Sequence, residues 1–189
     1  MPLPKSTIVA AVIMTMPPAV LHSAGAGKNP IANGGFEEWK EMRAEAWSAH
    51  PDKGLQWGAQ ILREKKDASQ GSMCLLIKGK LKQQGVSTTV KGLKPKTEYL
   101  LKFNYRMVRG NLTVRVRAGK PPALVERRFK PPVNWEWSNA DVLFRTGEHR
   151  DLAIHFLVDS IGDDADARLD AVSLVEVLPA PASEGTLGD

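Results

Sequence analysis

The stretch Tyr99–Arg106, which reads YLLKFNYR, decides the fold because its large apolar residues fall on every second position. In an extended chain, successive side chains point to opposite faces, so a period of two is typical of a half-buried β-strand. This register places Tyr99, Leu101, Phe103 and Tyr105 inward and Lys102, Asn104 and Arg106 outward.

The same pattern recurs along the chain and predicts at least eight short strands. It is clearest at 112–117, 152–158 and 169–177, and weaker at 55–63, 72–78, 86–90 and 141–145. Gly, Pro and Asn residues separate these segments, as turn residues separate strands. The pattern predicts an all-β protein, an antiparallel β-sandwich (jelly roll) or a barrel. Residues 37–49 are the exception, and their composition fits either a helix or a polar loop with one or two helical turns.

The ends of the 189-residue chain differ from its middle. The apolar run Thr7–Met16, the pair Pro17-Pro18 and the small residues Ala24-Gly25-Ala26 are typical of an export signal over 1–26, with a buried N-terminal helix as the alternative. Residues 179–189 are small and rich in Pro and Gly, which predicts a disordered tail. We therefore expect one domain over 27–178, secreted or periplasmic, monomeric, and with no membrane partner.

The sequence gives little indication of catalysis. None of the nucleophile, metalloprotease or phosphate-loop motifs is present, and the four histidines are scattered. The single cysteine, Cys74, lies in an apolar run and is predicted to be a buried small hydrophobe. We expect a protein that is not an enzyme.

Charge is distributed unevenly along the chain, whose net charge is +5. Residues 91–130 hold 12 Lys or Arg and 2 Asp or Glu, whereas residues 131–189 hold 3 and 12. Either the two segments attract each other within the fold, or the basic segment forms a face for an anionic partner.

Several short motifs, taken in order, resemble one family. They are Asn33-Gly-Gly-Phe-Glu37, Ser69-Gln-Gly-Ser-Met-Cys-Leu75, Val90-Lys-Gly-Leu-Lys-Pro-Lys-Thr-Glu-Tyr99 and Leu169-Asp-Ala-Val-Ser-Leu174. The set resembles the carbohydrate-binding modules of the CenC-like (cellulose- and xylan-binding) type, which are galactose-binding-like jelly rolls. The resemblance covers about residues 30–178.

The resemblance implies a structural calcium ion that joins the two ends of the domain. The matching carboxylates are Glu37 and Asp170, with Asp67 as a further candidate, and Ca²⁺ prefers such oxygen ligands. Members of the family often carry two acidic residues before the final V-S-L, whereas this chain has Ala171 at the second position.

The resemblance also implies a polysaccharide or glycan partner, bound on a concave sheet face or at one rim. Aromatic rings supply flat platforms for sugar rings, and polar side chains recognise the hydroxyls. The predicted carbohydrate-binding residues are Trp57, Lys102, Asn104, Arg106, Arg115, Arg117, Trp135 and Trp137. If the five polar residues share a face, an anionic polysaccharide is expected, since arginine pairs well with carboxylate and sulfate groups.

Four alternatives remain at this point. One is that the tryptophans fill the core, and another is that the basic residues line a solvated face. Nucleic acid is the other polyanion that basic strands and tryptophans can bind, but the export signal argues against it. The principal alternative is a structural or protein-interaction β-sandwich that binds no sugar.

Overall fold

The computed structural model describes residues 29–51, 55–119, 121–132, 135–160 and 164–178. The predicted export signal and C-terminal tail lie outside these ranges. The strands, in chain order, are β1 (Trp39–Lys40), β2 (Arg43–Ala44), β3 (Ser48–His50), β4 (Ile61–Glu64), β5 (Cys74–Gly79), β6 (Gln84–Val90), β7 (Glu98–Arg109), β8 (Asn111–Arg117), β9 (Val125–Phe129), β10 (Ser138–Arg145), β11 (Leu152–Asp159) and β12 (Ala165–Glu176). No helix within the described ranges is long and apolar enough to cross a membrane.

Ten of these strands form two five-stranded antiparallel sheets. One has the order β10-β7-β12-β5-β4 and is called the β12 sheet; the other has the order β3-β6-β11-β8-β9 and is called the β11 sheet. Phe103 of β7 and Phe156 of β11 meet between them, with ring centroids 5.1 Å apart. The predicted antiparallel β-sandwich of jelly-roll type is thereby confirmed.

The predicted alternation holds in the long strands. Tyr99, Leu101, Phe103 and Tyr105 are buried, as are Leu112, Val114 and Val116. Cys74 is also fully buried, and burial raises the pKa of its thiol to about 12. The prediction of an inert, buried cysteine agrees with this environment.

Three segments differ from the prediction. Residues 37–49 contain no helix but three short strands, since Glu41 and Ala46 have positive φ angles of 56° and 65° that interrupt any helix. The strand predicted over 55–63 is reduced to its last three residues, because the chain turns at Gly58, whose φ is 82°. β9 was not predicted at all, because its three middle residues are charged.

The N-terminal turn is attached to an irregularity in β12. The pairing of β12 with β7 shifts register between Asp170 and Ser173, which forms a β-bulge. The Val172 amide donates to the Gly34 carbonyl oxygen at 2.8 Å. The Asn29 side chain donates to the Val172 carbonyl oxygen at 3.0 Å and accepts from the Leu174 amide at 3.1 Å. At the bulge, the N-terminal turn therefore supplies β12 with hydrogen bonds that β7 cannot provide.

Gly34→Ala tests this attachment. A Cβ at position 34 would lie 1.9 Å from the Val172 carbonyl oxygen, so the turn must move away from β12. We expect the free energy of unfolding to fall by about 1–3 kcal/mol, the usual cost of overpacking a close contact. The measurement is chemical denaturation followed by tryptophan fluorescence.

Gly35→Ala is the matched control, because a Cβ there would meet nothing closer than the Glu37 Cγ at 3.9 Å. Equal stabilities of the two variants would contradict the account.

Candidate functional site

The structure divides the predicted carbohydrate-binding residues between the two sheets. Lys102, Asn104 and Arg106 lie on β7 in the β12 sheet, and Arg115 and Arg117 lie on β8 in the β11 sheet. The expectation of one continuous basic face is wrong, because the turn at Gly110 carries the chain from one sheet to the other. The outer faces of the two sheets point in opposite directions.

The three predicted tryptophans occupy separate positions. Trp57 is half-buried against the core, and its ring meets that of Trp39 edge-on at 6.0 Å. Trp137 is half-buried, and its indole N–H donates to the Asp67 carbonyl oxygen at 3.1 Å. Trp135 is 59% exposed, but its φ of 57° is incompatible with an extended strand. Trp135 and Trp137 are therefore not neighbours on one side of a strand.

The outer face of the β11 sheet has buried side chains at its centre. Thr113 of β8 is fully buried, Leu157 of β11 is fully buried, and His155 of β11 is only 8% exposed, although all three alternate with inward-facing residues. His155 lies directly opposite Arg115 on β8 and Ser87 on β6. Strand side chains that point outward and are nevertheless buried must be covered by their neighbours, and this central strip of the face, with Thr113, His155 and Leu157 beneath its surface, is called the cleft.

Two of the arginines on this face are neutralised by carboxylates. Arg115 Nε donates to Glu126 at 2.5 Å, and its Nη2 donates to the Gln83 side chain at 3.0 Å. Arg128 pairs with Asp159 at 3.8 Å. Arg117, in contrast, forms no ion pair with any carboxylate of the described ranges, although its charge contributes to lowering the pKa of Glu126. Of these three arginines, it is the one without a direct ion pair.

Three side-chain polar atoms on this face are buried without a hydrogen-bond partner in the described structure: Thr113 Oγ1, Arg117 Nε and His155 Nδ1. Burial, together with the nearby His50 ring and the charges of Arg117 and Arg115, lowers the pKa of His155 to about 4. The imidazole is therefore neutral at pH 7, with one nitrogen that donates and one that accepts. Both donors and acceptors therefore lie just beneath the surface of the cleft.

Sequence reasoning did not identify His155 or Thr113 as site residues. The outward position of His155 was visible in the alternation of its strand. Its burial was not, because this depends on β3, whose His50 ring lies 4.5 Å away.

On the outer face of the β12 sheet, the predicted residues have different roles. Arg106 binds the Asp67 carboxylate at 2.6 Å, and Arg168 lies 3.2 Å from the same carboxylate. Lys102 and Asn104 instead line a cavity of about 550 Å³. Asn104 also donates to the Ser69 hydroxyl at 2.9 Å.

The carboxylates predicted to bind calcium are occupied by protein donors. Glu37 accepts from the Ser72 amide at 2.7 Å, the Ser72 hydroxyl at 2.6 Å and the Met73 amide at 3.1 Å. These bonds lower the pKa of Glu37, with the Ser72 hydroxyl contributing most.

Asp170 is fully buried and accepts four hydrogen bonds. The donors are the Ser69 amide and hydroxyl and the amides of Gln70 and Ala171, at 2.7–2.9 Å. No group of three or more metal-binding side chains occurs in the described residues. Hydrogen bonds link Glu37 and Asp170 to the 69–73 loop, and Arg106 and Arg168 contact Asp67, so we expect that the three carboxylates do not share a calcium ion.

Calcium titration tests whether these carboxylates share a calcium ion. Because the carboxylates already bind N–H and O–H donors, we expect the same midpoint of thermal unfolding in excess calcium and in EDTA. Asp170→Asn should instead lower the free energy of unfolding by about 1–3 kcal/mol, since it leaves buried donors without an acceptor.

Asp164→Asn is the control for Asp170→Asn, because Asp164 is exposed and makes no hydrogen bond or ion pair with a described residue. A calcium-dependent rise in the midpoint that Asp170→Asn abolishes would establish the calcium site and refute this account.

Comparison with known proteins supports the fold. No family model matches the sequence, and no curated protein matches it significantly. Among solved structures, the carbohydrate-binding module TmCBM61 in complex with β-1,4-galactotriose aligns with a TM-score of 0.62 and 18% identity, over 79% of this chain and 99% of that chain. The xylan-binding CBM22-1 domain of Paenibacillus barcinonensis Xyn10C aligns with a TM-score of 0.55 and 17% identity, over 84% of this chain and 100% of that chain.

The fold also occurs within a larger enzyme. The enzymatically active domain of bacteriophage CBA120 tailspike protein 4 aligns with a TM-score of 0.58 and 13% identity, over 79% of this chain but only 21% of that chain. The two modules above, in contrast, are matched over almost their whole length. The chain has the jelly-roll fold of carbohydrate-binding modules, as the resemblance of its sequence motifs predicts.

Proposed function

We propose that this protein is a non-catalytic carbohydrate-binding module whose ligand lies in the cleft on the outer face of the β11 sheet. One observation carries the proposal: Thr113 Oγ1, Arg117 Nε and His155 Nδ1 are buried on this face without partners. Structures with the same fold include one solved with galactotriose and one xylan-binding domain.

The chemistry of these three atoms suits a saccharide. A buried polar atom without a hydrogen bond costs about 1–3 kcal/mol, so a ligand that displaces the covering side chains and supplies the partner recovers this energy. A sugar hydroxyl both donates and accepts, which matches the threonine hydroxyl on β8, the neutral imidazole on the neighbouring β11 and the guanidinium N–H further along β8.

Arg117 supports an anionic polysaccharide as the preferred ligand. Glu126 and Asp159 already pair with Arg115 and Arg128, so among these three arginines only Arg117 lacks a direct ion pair within the described residues. A uronate carboxylate or a sulfate would provide that charge together with a charge-assisted hydrogen bond. The hydroxyls of the ligand would bind the rest of the cleft.

The remaining features of the proposal come from the sequence. The apolar segment and small residues of 1–26 support export to the periplasm or the outside of the cell. There the module would act as a monomer on a glycan, and neither its motifs nor its cleft supports a role in catalysis or nucleic-acid binding.

Arg117→Gln tests the proposed site. Loss of a hydrogen-bonded charge should weaken binding to an acidic glycan by about tenfold or more, since such bonds contribute about 1.5–3 kcal/mol. The measurement is affinity electrophoresis in native gels that contain pectate, alginate or xylan, at low and high salt. Retardation of the wild type by pectate or alginate should weaken at high salt, because screening reduces the attraction between charges.

Arg127→Gln is the matched control: Arg127 is an exposed arginine on the neighbouring β9, but its position faces Val114 rather than Arg115 or Thr113. Equal weakening by both substitutions would show a non-specific charge effect and contradict the site. If no glycan retards the folded wild type, the alternative of a structural or protein-interaction module takes the place of sugar binding.

A further inference from the structure

The outer face of the β12 sheet contains a cavity that the proposed cleft does not use. It has a volume of about 550 Å³, which lies within the range of small-molecule sites. Its floor is formed by β7 and β10, and its walls by the bulge of β12, the N-terminal turn and the 69–73 loop. Since this face belongs to the other sheet, the cavity is separate from Arg117 and His155.

The side chains around the cavity are almost all polar and many have unused hydrogen-bonding capacity. Lys102 and Asp141 lie directly opposite each other on β7 and β10, and so do Asn104 and Asn139. Within the described residues, neither Lys102 nor Asp141 forms an ion pair, and Asn139 makes no side-chain hydrogen bond. The Lys102 ammonium, the Asp141 carboxylate and the two asparagine amides therefore all face the cavity, and the two charged groups do not pair with each other.

The walls of the cavity are held rigidly. The Asn29 amide is fixed by hydrogen bonds to Ile31, Val172 and Leu174. The backbone at Ser69 and Gln70 is fixed by the buried Asp170 carboxylate. A site whose walls are already ordered loses little conformational entropy when a ligand binds, which favours binding.

We propose that this cavity is a second saccharide site, which binds a neutral sugar unit on the sheet opposite to the proposed cleft. A neutral ligand is favoured because Lys102 and Asp141 together contribute no net charge. Vicinal hydroxyls can donate to the Asp141 carboxylate and accept from the Lys102 ammonium, while the asparagine amides do both.

Two sites on opposite faces would let one domain bind two glycan strands at once. The second binding event then occurs at a high effective concentration, and the avidity for an insoluble or gel-forming polysaccharide exceeds the affinity of either site.

The test is an NMR titration of the full chain, labelled with ¹⁵N, with β-1,4-galactotriose and with xylotriose up to their solubility. We expect saturable shifts in the backbone amides of Gln70, Ala171 and Ser173 with at least one of these sugars. Lys102→Ala combined with Asp141→Ala should weaken this binding about tenfold or more, since two charged hydrogen-bonding groups are lost.

The matched control, Lys91→Ala combined with Asp164→Ala, removes one exposed charge of each sign elsewhere. It should leave the sugar-induced shifts of the cavity amides unchanged. Shifts in β8 and β11 alone would overturn the second site and leave the proposed cleft intact. Shifts in the cavity alone would support the second site and would leave the cleft, whose proposed ligand is anionic, to the electrophoresis with acidic glycans. If neither sugar shifts the cavity amides, or if both double variants weaken binding equally, the proposal is wrong.

Discussion

The buried carboxylate of Asp170 is the interaction on which the surrounding architecture depends. A charged group without access to water is tolerated only when its oxygens are fully hydrogen-bonded, and Asp170 accepts four donors. Three of these donors belong to Ser69 and Gln70, about a hundred residues away in the chain. One side chain therefore holds the 69–73 loop against β12, next to the bulge where the N-terminal turn attaches.

Together with Glu37, Asp170 joins three distant parts of the chain near the bulge of β12. Glu37 binds the other end of the same loop, so the start of the domain, its middle and its last strand meet in one region. Protein N–H and O–H groups occupy the positions around both carboxylates and so join these three segments directly. The same groups form the rigid walls of the cavity beside Lys102 and Asp141.

The sequence predicts the strands well where burial alone decides the pattern. In β7, β8 and β11, every second residue enters the core, and the alternation identifies both the strands and their inner faces. It says nothing of which sheet a strand joins, because that depends on the turn between neighbouring strands. The turn at Gly110 places β7 and β8 in different sheets, so the five predicted polar residues lie on two different faces.

The candidate sites show the same limit. Arg115 and Arg117 were both predicted to bind carbohydrate, but their environments differ, since Glu126 and Gln83 accept hydrogen bonds only from Arg115. These partners come from β9 and from the segment before β6, which periodicity on β8 does not reveal. The burial of His155 likewise depends on a contact with His50, more than a hundred residues away. The order of the sequence motifs, in contrast, predicted the jelly roll correctly, because the motifs are distributed over the whole domain.

The most direct test of the central claim is a crystal structure of the protein grown with an excess of an oligogalacturonate. We predict ligand density across β6, β11 and β8, with a carboxylate within hydrogen-bonding distance of the Arg117 guanidinium group. A structure in which this cleft holds only water at saturating ligand, with the protein well ordered, would contradict it.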